Sequence, residues 1–288
     1  MKDIPTSPRI TRIKRNRRVK RIRLVILFSI LFIVIILGLS YFSAYSKITI
    51  NKIIITGNSI INGQEIESRI NDKLSGRYIG LFSRSNFLIY PEKKIYNDLL
   101  VNFPRIEGLS IKLEGLNTLH ISLTERAGSF LYCGTAIPEK KEDIGENCYF
   151  VNNNGYIFDK APYFSGDVYF KYYTAIKSDV SNPLGSQMFT VERFHDLIRF
   201  TDGVIALGFK PIYLTIDTNG NYSLYLKSVN NNTNPKIIFK EDNNLAIILD
   251  NFITAMGKKE FANEINSKYD TLSYIDLRFK NKVLYKFQ

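Results

Sequence analysis

The sequence predicts an α+β protein: a single membrane-spanning helix near the N-terminus, a βααββ unit, and a mostly antiparallel β domain with two helices. Three observations predict it. A run of 23 residues, Leu24–Ser46, carries no charge. Behind it come strand, helix, helix, strand and strand signals in that order. Beyond Arg126 the pattern changes to short strands broken by Asn- and Gly-containing turns. The segments are a basic tail at 1–23, the spanning helix at 24–46, a first folded unit at 47–126 and a second at 127–288.

Charge is distributed to match. Of the +12 formal charge, residues 1–23 hold +9, ten Lys or Arg against the single acid Asp3, which leaves +3 for the other 265 residues. The folded part therefore lacks the concentrated positive charge that nucleic-acid binding needs, and no specific nucleic-acid partner is expected. At ~1.5 Å per residue the uncharged run covers ~34 Å as a helix, enough for the ~30 Å hydrocarbon core of a lipid bilayer. Tyr41, Phe42 and Tyr45 stand where an interfacial aromatic belt forms, and the cluster Arg12 to Arg23 adjoins the other end. The positive-inside rule puts that end in the cytoplasm and residues 47–288 outside. The competing reading is a signal peptide cleaved after Ala44-Tyr45-Ser46; its apolar region normally runs about 7–15 residues, and this run is longer. Residues 1–9 read as a disordered tail.

In the first unit, Lys47–Asn58 is β-branched and ends at a Gly-Asn turn. Asn62 is an N-cap with Glu65 in the capping-box position, and Ile66, Ile70 and Leu74 form the stripe of the helix that follows. After a loop at 76–86, Pro91 opens a second helix with Ile95 and Leu99 on one face, closed by Phe103-Pro104. Leu109–Leu113 and Leu119–Leu123 alternate as strands around Gly115 and Asn117.

In the second unit, strands are expected at Ser129–Cys133, Cys148–Val151 and Tyr156–Phe158. A helix at Gln187–Asp202 would carry Met188, Val191, His195 and Ile198 on one side. Ile212–Asp217 and Tyr222–Leu226 flank Asn219-Gly220, a strong hairpin signal. Lys236–Phe239 is a further strand, Leu245–Met256 the last helix, and Thr271–Lys280 with Val283–Phe287 close the chain around Asn281. Cys133 and Cys148, the two cysteines, are either a disulfide worth about 3 kcal/mol in the entropic description or two buried thiols, as the compartment decides.

Candidate chemistry is sparse. His120 falls on a polar strand face, and His195 reads as a hydrogen-bonded core residue. The segment from Asp217 mimics a calcium loop but has Tyr222 and Ser228 at its sixth and twelfth positions, so it reads as a turn. No phosphate-cradling loop or nucleophile elbow is present, and no cofactor is expected. Asn221-Tyr222-Ser223 and Asn231-Asn232-Thr233 are formal glycosylation sequons. Asp276 and Arg278 share a strand face, as an ion pair or a partner contact, and Glu125-Arg126 is placed to tie the two units together.

Several motifs in order resemble one family. Ile55-Thr56-Gly57-Asn58, Phe103-Pro104-Arg105-Ile106 and Leu119 to Arg126 are similar to the POTRA domain of the FtsQ/DivIB family of bacterial cell-division proteins. Tyr149 to Phe158 and, most specifically, Tyr274-Ile275-Asp276-Leu277-Arg278-Phe279 resemble that family's β domain. The chain has Ala127-Gly128 where the family usually has x-Pro, and Asn152 where Asp is common. The resemblance implies a non-enzymatic, membrane-anchored division protein at the septum. It would bind FtsB/FtsL-type (DivIC-type) single-pass coiled-coil partners outside the cytoplasmic membrane and help control septal peptidoglycan synthesis. It further implies a contact through the last strands, here Phe279, Asn281, Val283 and Tyr285. The residues make that plausible independently, because a terminal edge strand can pair with a partner's strand; alternatively its apolar residues face their own core. Two competing classes fit less well. A single-pass membrane enzyme acting on cell-wall or surface glycans needs a catalytic cluster, and an outer-membrane assembly factor needs a large β-barrel.

Overall fold

The computed structural model describes residues 8–138, 147–164, 166–176, 182–228, 234–240, 244–279 and 282–288, with side chains from residue 17 onward. It is mixed α+β and opens with one long helix, α1 (Pro8–Ser43). From Arg17 to Ser43 this helix is long and apolar enough to cross a membrane. The basic residues from Arg9 to Arg23 belong to the same helix, because Lys and Arg are good helix formers and extend a helix already nucleated. The helix stops at Ser43, three residues before the end of the uncharged run, and Ser46–Ile48 form a single 3₁₀ turn.

The chain divides into two units, Met1–Asn102 with Gly108–Glu125, and Phe103–Glu107 with Arg126–Gln288. In the first, β1 (Lys52–Thr56), α2 (Gly63–Leu74), β2 (Arg77–Tyr78), β3 (Phe82–Ser83), α3 (Glu92–Asn102), β4 (Ile106–Glu114) and β5 (Thr118–Glu125) follow α1. The sheet order is β1-β5-β4, with β1 parallel to β5 and Ile55 beside Ile121. Asn62 caps α2 by accepting from Gln64 N at 2.9 Å. The expected stripes are buried: Ile66, Ile70 and Leu74 of α2, Ile95 and Leu99 of α3, and Leu119, Ile121 and Leu123 of β5. Asp98 of α3 accepts from Lys73 of α2 at 2.7 Å and pairs with Arg69 at 3.5 Å. Gly57 turns the chain out of β1 with φ +85°, and a Cβ there would lie 1.9 Å from the Leu123 carbonyl oxygen, so only glycine fits. The small β2–β3 hairpin lies where the sequence reads as loop.

The second unit is built on nine strands: β6 (Phe130–Tyr132), β7 (Tyr149–Val151), β8 (Ile157–Lys160), β9 (Lys171–Tyr173), β10 (Pro211–Ile216), β11 (Asn221–Leu226), β12 (Lys236–Lys240), β13 (Leu272–Phe279) and β14 (Lys282–Phe287). They lie in the order β14-β13-β12-β11-β10-β9-β6-β7-β8. Most neighbours are antiparallel; β12 with β13, and β9 with both β10 and β6, are parallel. Helices α4 (Val191–Ala206), α5 (Leu245–Met256) and α6 (Lys259–Ser267) contribute to the core that covers one sheet face. Along β11 the alternation is visible: Tyr222, Leu224 and Leu226 are buried, and Asn221, Ser223 and Tyr225 are half-buried. Phe200 of α4 meets Phe239 of β12 with ring centroids 4.6 Å apart.

Two helix expectations are corrected here. The unit has three helices among the described residues, not two: α6 is short and polar, with Phe261 and Ile265 as its inward pair, too little for a clear periodic signal. Helix α4 starts at Thr190, whose side chain accepts from Arg193 N, so its inner face is Phe194, Leu197, Phe200 and Val204. Counting from Met188, outside the helix, rotates the stripe by about a quarter turn. Val191 is consequently exposed, and His195 is not a core residue but lies half-exposed, 3.1 Å from Asn154 Oδ1.

Cys133 and Cys148 form a disulfide joining the end of β6 to the start of β7. The Glu125 carboxylate accepts from the N–H groups of Ser59, Ile60 and Ile61 at 2.6–3.0 Å. Arg126 donates Nε to the Pro104 carbonyl at 3.0 Å and lies 4.6 Å over the Tyr156 ring.

Candidate partner-binding edge

Strand β14 is the last in the order of the large sheet, so among the described residues one of its sides has no strand beyond it. It hydrogen-bonds β13 as an antiparallel hairpin, with Ile275 opposite Tyr285 and Asp276 opposite Leu284. The register shifts between Asp276 and Phe279, and such an irregularity bends the strand end and re-aims its side chains. Phe279 is half exposed there, at 50%.

Alternation along β14 separates two faces. Val283 and Phe287 pack against the core under α5 and α6. Tyr285, between them, sets its ring edge-on to Phe261 of α6 at 5.3 Å and to Phe287 at 5.5 Å. Its hydroxyl donates to Glu264 Oε2 at 2.7 Å. That bond, followed by the one from Lys268, holds the Glu264 carboxyl below its ordinary value, and the same bond raises the Tyr285 phenol. Leu284 is on the other face, 45% exposed. Of the four residues the family resemblance implicates, Phe279 and Tyr285 are thus accessible, Val283 is half-buried against its own core, and Asn281 lies outside the described residues. Leu284 is an apolar residue that the resemblance does not implicate. The strand alternation already placed it opposite Tyr285, and that is the signal that finds it.

Behind the edge, Asp276 is buried and Arg278 closes over it. Burial alone would raise the Asp276 carboxyl. The Arg278 side chain, donating from Nη2 at 2.6 Å and Nε at 2.9 Å, and the Arg278 backbone N–H at 3.0 Å outweigh that and hold it below its ordinary value. Arg278 also reaches Asn221 Oδ1 of β11 at 3.4 Å. The pair is therefore structural: it locks β13 to β11 across β12, and the edge is built on a rigid base. Asp217 likewise ties its turn, accepting from the N–H groups of Asn219 and Asn221 at 2.8 and 2.9 Å. A cleft of about 430 Å³ lined by Asn251, Thr254, Ala255, Lys258, Phe261 and Val283 runs between α5, α6 and β14.

The opposite edge of the same sheet is finished differently. Ile157 of β8 exchanges backbone hydrogen bonds with Gly185 and Ser186, both 2.9 Å. Arg105 donates Nε and Nη2 to Asp159 Oδ2, both 2.6 Å, with its guanidinium 5.2 Å over the Phe158 ring.

No protein-family model matches the chain, and a comparison with curated proteins gives no match either.

Proposed function

We propose that this chain is a non-enzymatic, membrane-anchored scaffold of the FtsQ/DivIB type in the bacterial division complex, and that β14 receives its partner. One observation carries the reading: among the described residues the large sheet ends at β14 with no further strand beside it, and the apolar residues Phe279 and Leu284 there are about half exposed. An open strand offers backbone N–H and C=O groups to an incoming strand, and alternate side chains then select the partner. The partner class is the FtsB/FtsL-type (DivIC-type) single-pass protein, and the outcome is control of septal wall synthesis. The apolar helix supports the anchor. The disulfide fits an oxidising compartment outside the membrane, which agrees with the basic N-terminal end lying inside. The element order of the first unit, with its two helices and a three-stranded sheet, supports a POTRA-type domain.

The test is co-purification from gently solubilised membranes of tagged wild-type chain and of a Phe279→Asp/Leu284→Asp variant. Cutting the chain after Lys268 is a poorer choice, because it removes β13, whose Ile275 and Leu277 are core residues. Small coiled-coil division proteins should accompany the wild type and fall at least about tenfold in the variant, a loss of roughly 1.4 kcal/mol or more. Their absence from the wild-type sample sinks the scaffold reading. Equal recovery from both sinks the assignment to β14.

A further inference from the structure

Among the described side chains of α1, the buried ones are Ser40 and Ser43, near its C-terminal end. The element that buries them is the β2–β3 hairpin. Ser40 Oγ donates to the Leu81 carbonyl at 2.7 Å, Ser43 Oγ accepts from Ser83 N at 3.0 Å, and Asn86 Nδ2 donates to the Ser43 carbonyl at 3.0 Å. Arg77, at the start of the hairpin, lines one cleft together with Leu37, Ser40 and Tyr41. The hairpin therefore lies alongside the last two turns of the helix rather than beyond its end.

That position has a consequence for depth. With Leu24 at the inner boundary beside Arg23, a rise of ~1.5 Å per residue carries the helix across a ~30 Å hydrocarbon core at about Ser43. The tip of the hairpin is then level with the outer headgroups and the first carbons of the acyl chains. Its residues suit that layer. Ile79, at the tip, is 94% exposed and has φ +51°. A β-branched residue in the left-handed region is strained, by about 1–3 kcal/mol, and an exposed isoleucine recovers none of that from the fold. Gly or Asn would be the ordinary choice at such a turn. Leu81 and Phe82 follow, half-buried, and Arg77, Tyr78 and Arg84 flank the tip, with the Arg84 guanidinium 5.5 Å over the Tyr78 ring. Apolar residues at the tip with Arg and Tyr behind them form the amphipathic pattern of an interfacial segment, the cations facing lipid phosphates. Behind the tip, the hairpin backbone is tied by its own pairing and by the two serines, and the backbone groups of Ile79 and Gly80 lie at headgroup level, where water still reaches them.

We infer that the β2–β3 hairpin is a second membrane contact, a wedge that seats Ile79 among the headgroups and upper acyl chains of an anionic lipid surface beside α1. This rests on reading α1 as a membrane span. The contact fixes the orientation of the first folded unit relative to the bilayer, which a single helix alone leaves free to swivel.

The chain contains no tryptophan, so one can be placed as a sole reporter. Ile79→Trp and, in the middle of α1, Phe32→Trp are each made in the full chain and reconstituted into phosphatidylcholine/phosphatidylglycerol vesicles with lipids brominated either near the headgroup or near the chain end. Trp at 32 should be quenched by the deep bromines. Trp at 79 should emit to the blue of free tryptophan and lose most of its intensity to the shallow bromines. Water-like, unquenched emission at 79 with deep quenching at 32 overturns the wedge and leaves the span standing. Failure of deep quenching at 32 overturns both.

Discussion

The two edges of the nine-stranded sheet belong to one core and yet are finished in opposite ways. At β8 the backbone is paired by Gly185 and Ser186, and Arg105 clamps Asp159. At β14 no strand follows among the described residues, and Phe279 and Leu284 are about half exposed. Open edges are templates for aggregation, so a fold that covers one and leaves the other does so selectively. Lys282 and Lys286, both exposed on β14, add a further discrimination. They oppose self-pairing of two copies through like charge while leaving a neutral or acidic strand free to add. The difference assigns stability to the closed edge and, on the proposed reading, contact to the open one, and each claim can be broken separately.

The largest expected effect lies toward the closed side, where the disulfide joins β6 and β7. Replacing Cys133 and Cys148 by Ala should cost about 3 kcal/mol and lower the melting temperature by roughly 6–12 °C. Near-UV circular dichroism of the full chain in detergent reads it, and partner capture at β14 should persist. An unchanged melting temperature would remove the disulfide from the account of the closed end.

Next comes Arg105→Ala. It leaves Asp159 without its clamp and removes the cation from the Phe158 face. Because Asp159 is about a third exposed, water compensates part of the loss, and about 1–2 kcal/mol is expected in urea unfolding. The Phe279→Asp/Leu284→Asp pair is the converse: both side chains are already about half exposed, so the pair should cost less than Arg105→Ala, no more than about 1 kcal/mol. If the open-edge pair proves as destabilising as Arg105→Ala, the two edges do not divide stability from contact and the comparison fails.

How much of this was legible follows from the range of each interaction. Asn62, Pro91 and Asn219-Gly220 act on neighbours a few residues away, so α2, α3 and the β10–β11 hairpin can be read directly. Strand β9 is three residues long and exists because β6 and β10 both flank it in parallel, a pairing that no local pattern announces. The β2–β3 hairpin has two residues per strand and an isoleucine where a turn residue is expected, so its reason lies in α1 and not in its own propensity. Alternation along the last strand separates Leu284 from Tyr285 in advance. It does not say which face meets α6, since that depends on a helix too short and polar to be anticipated, so the packing of Val283 and Tyr285, which share that face, is not legible in advance.

The smallest effect sharpens the comparison at Tyr285. Its ring is part of the packing against α6, and its hydroxyl serves one bond, to Glu264. Tyr285→Phe keeps the ring and deletes the bond, so the melting temperature should not move. What should move is the Glu264 carboxyl, which loses the main group pulling it down and retains Lys268, so its titration shifts toward the ordinary carboxylate range near ~4.3. The sign follows from linkage. A depressed carboxyl contributes stability above its unfolded value and loses it as pH falls through its folded value, so the wild-type tie between β14 and α6 weakens only in acid. A carboxyl ¹³C titration of Glu264 in both proteins checks it. If the two curves coincide, Tyr285 is not engaged by α6 in solution, its face is free for a partner, and the division between an inward Tyr285 and an outward Leu284 has to be redrawn.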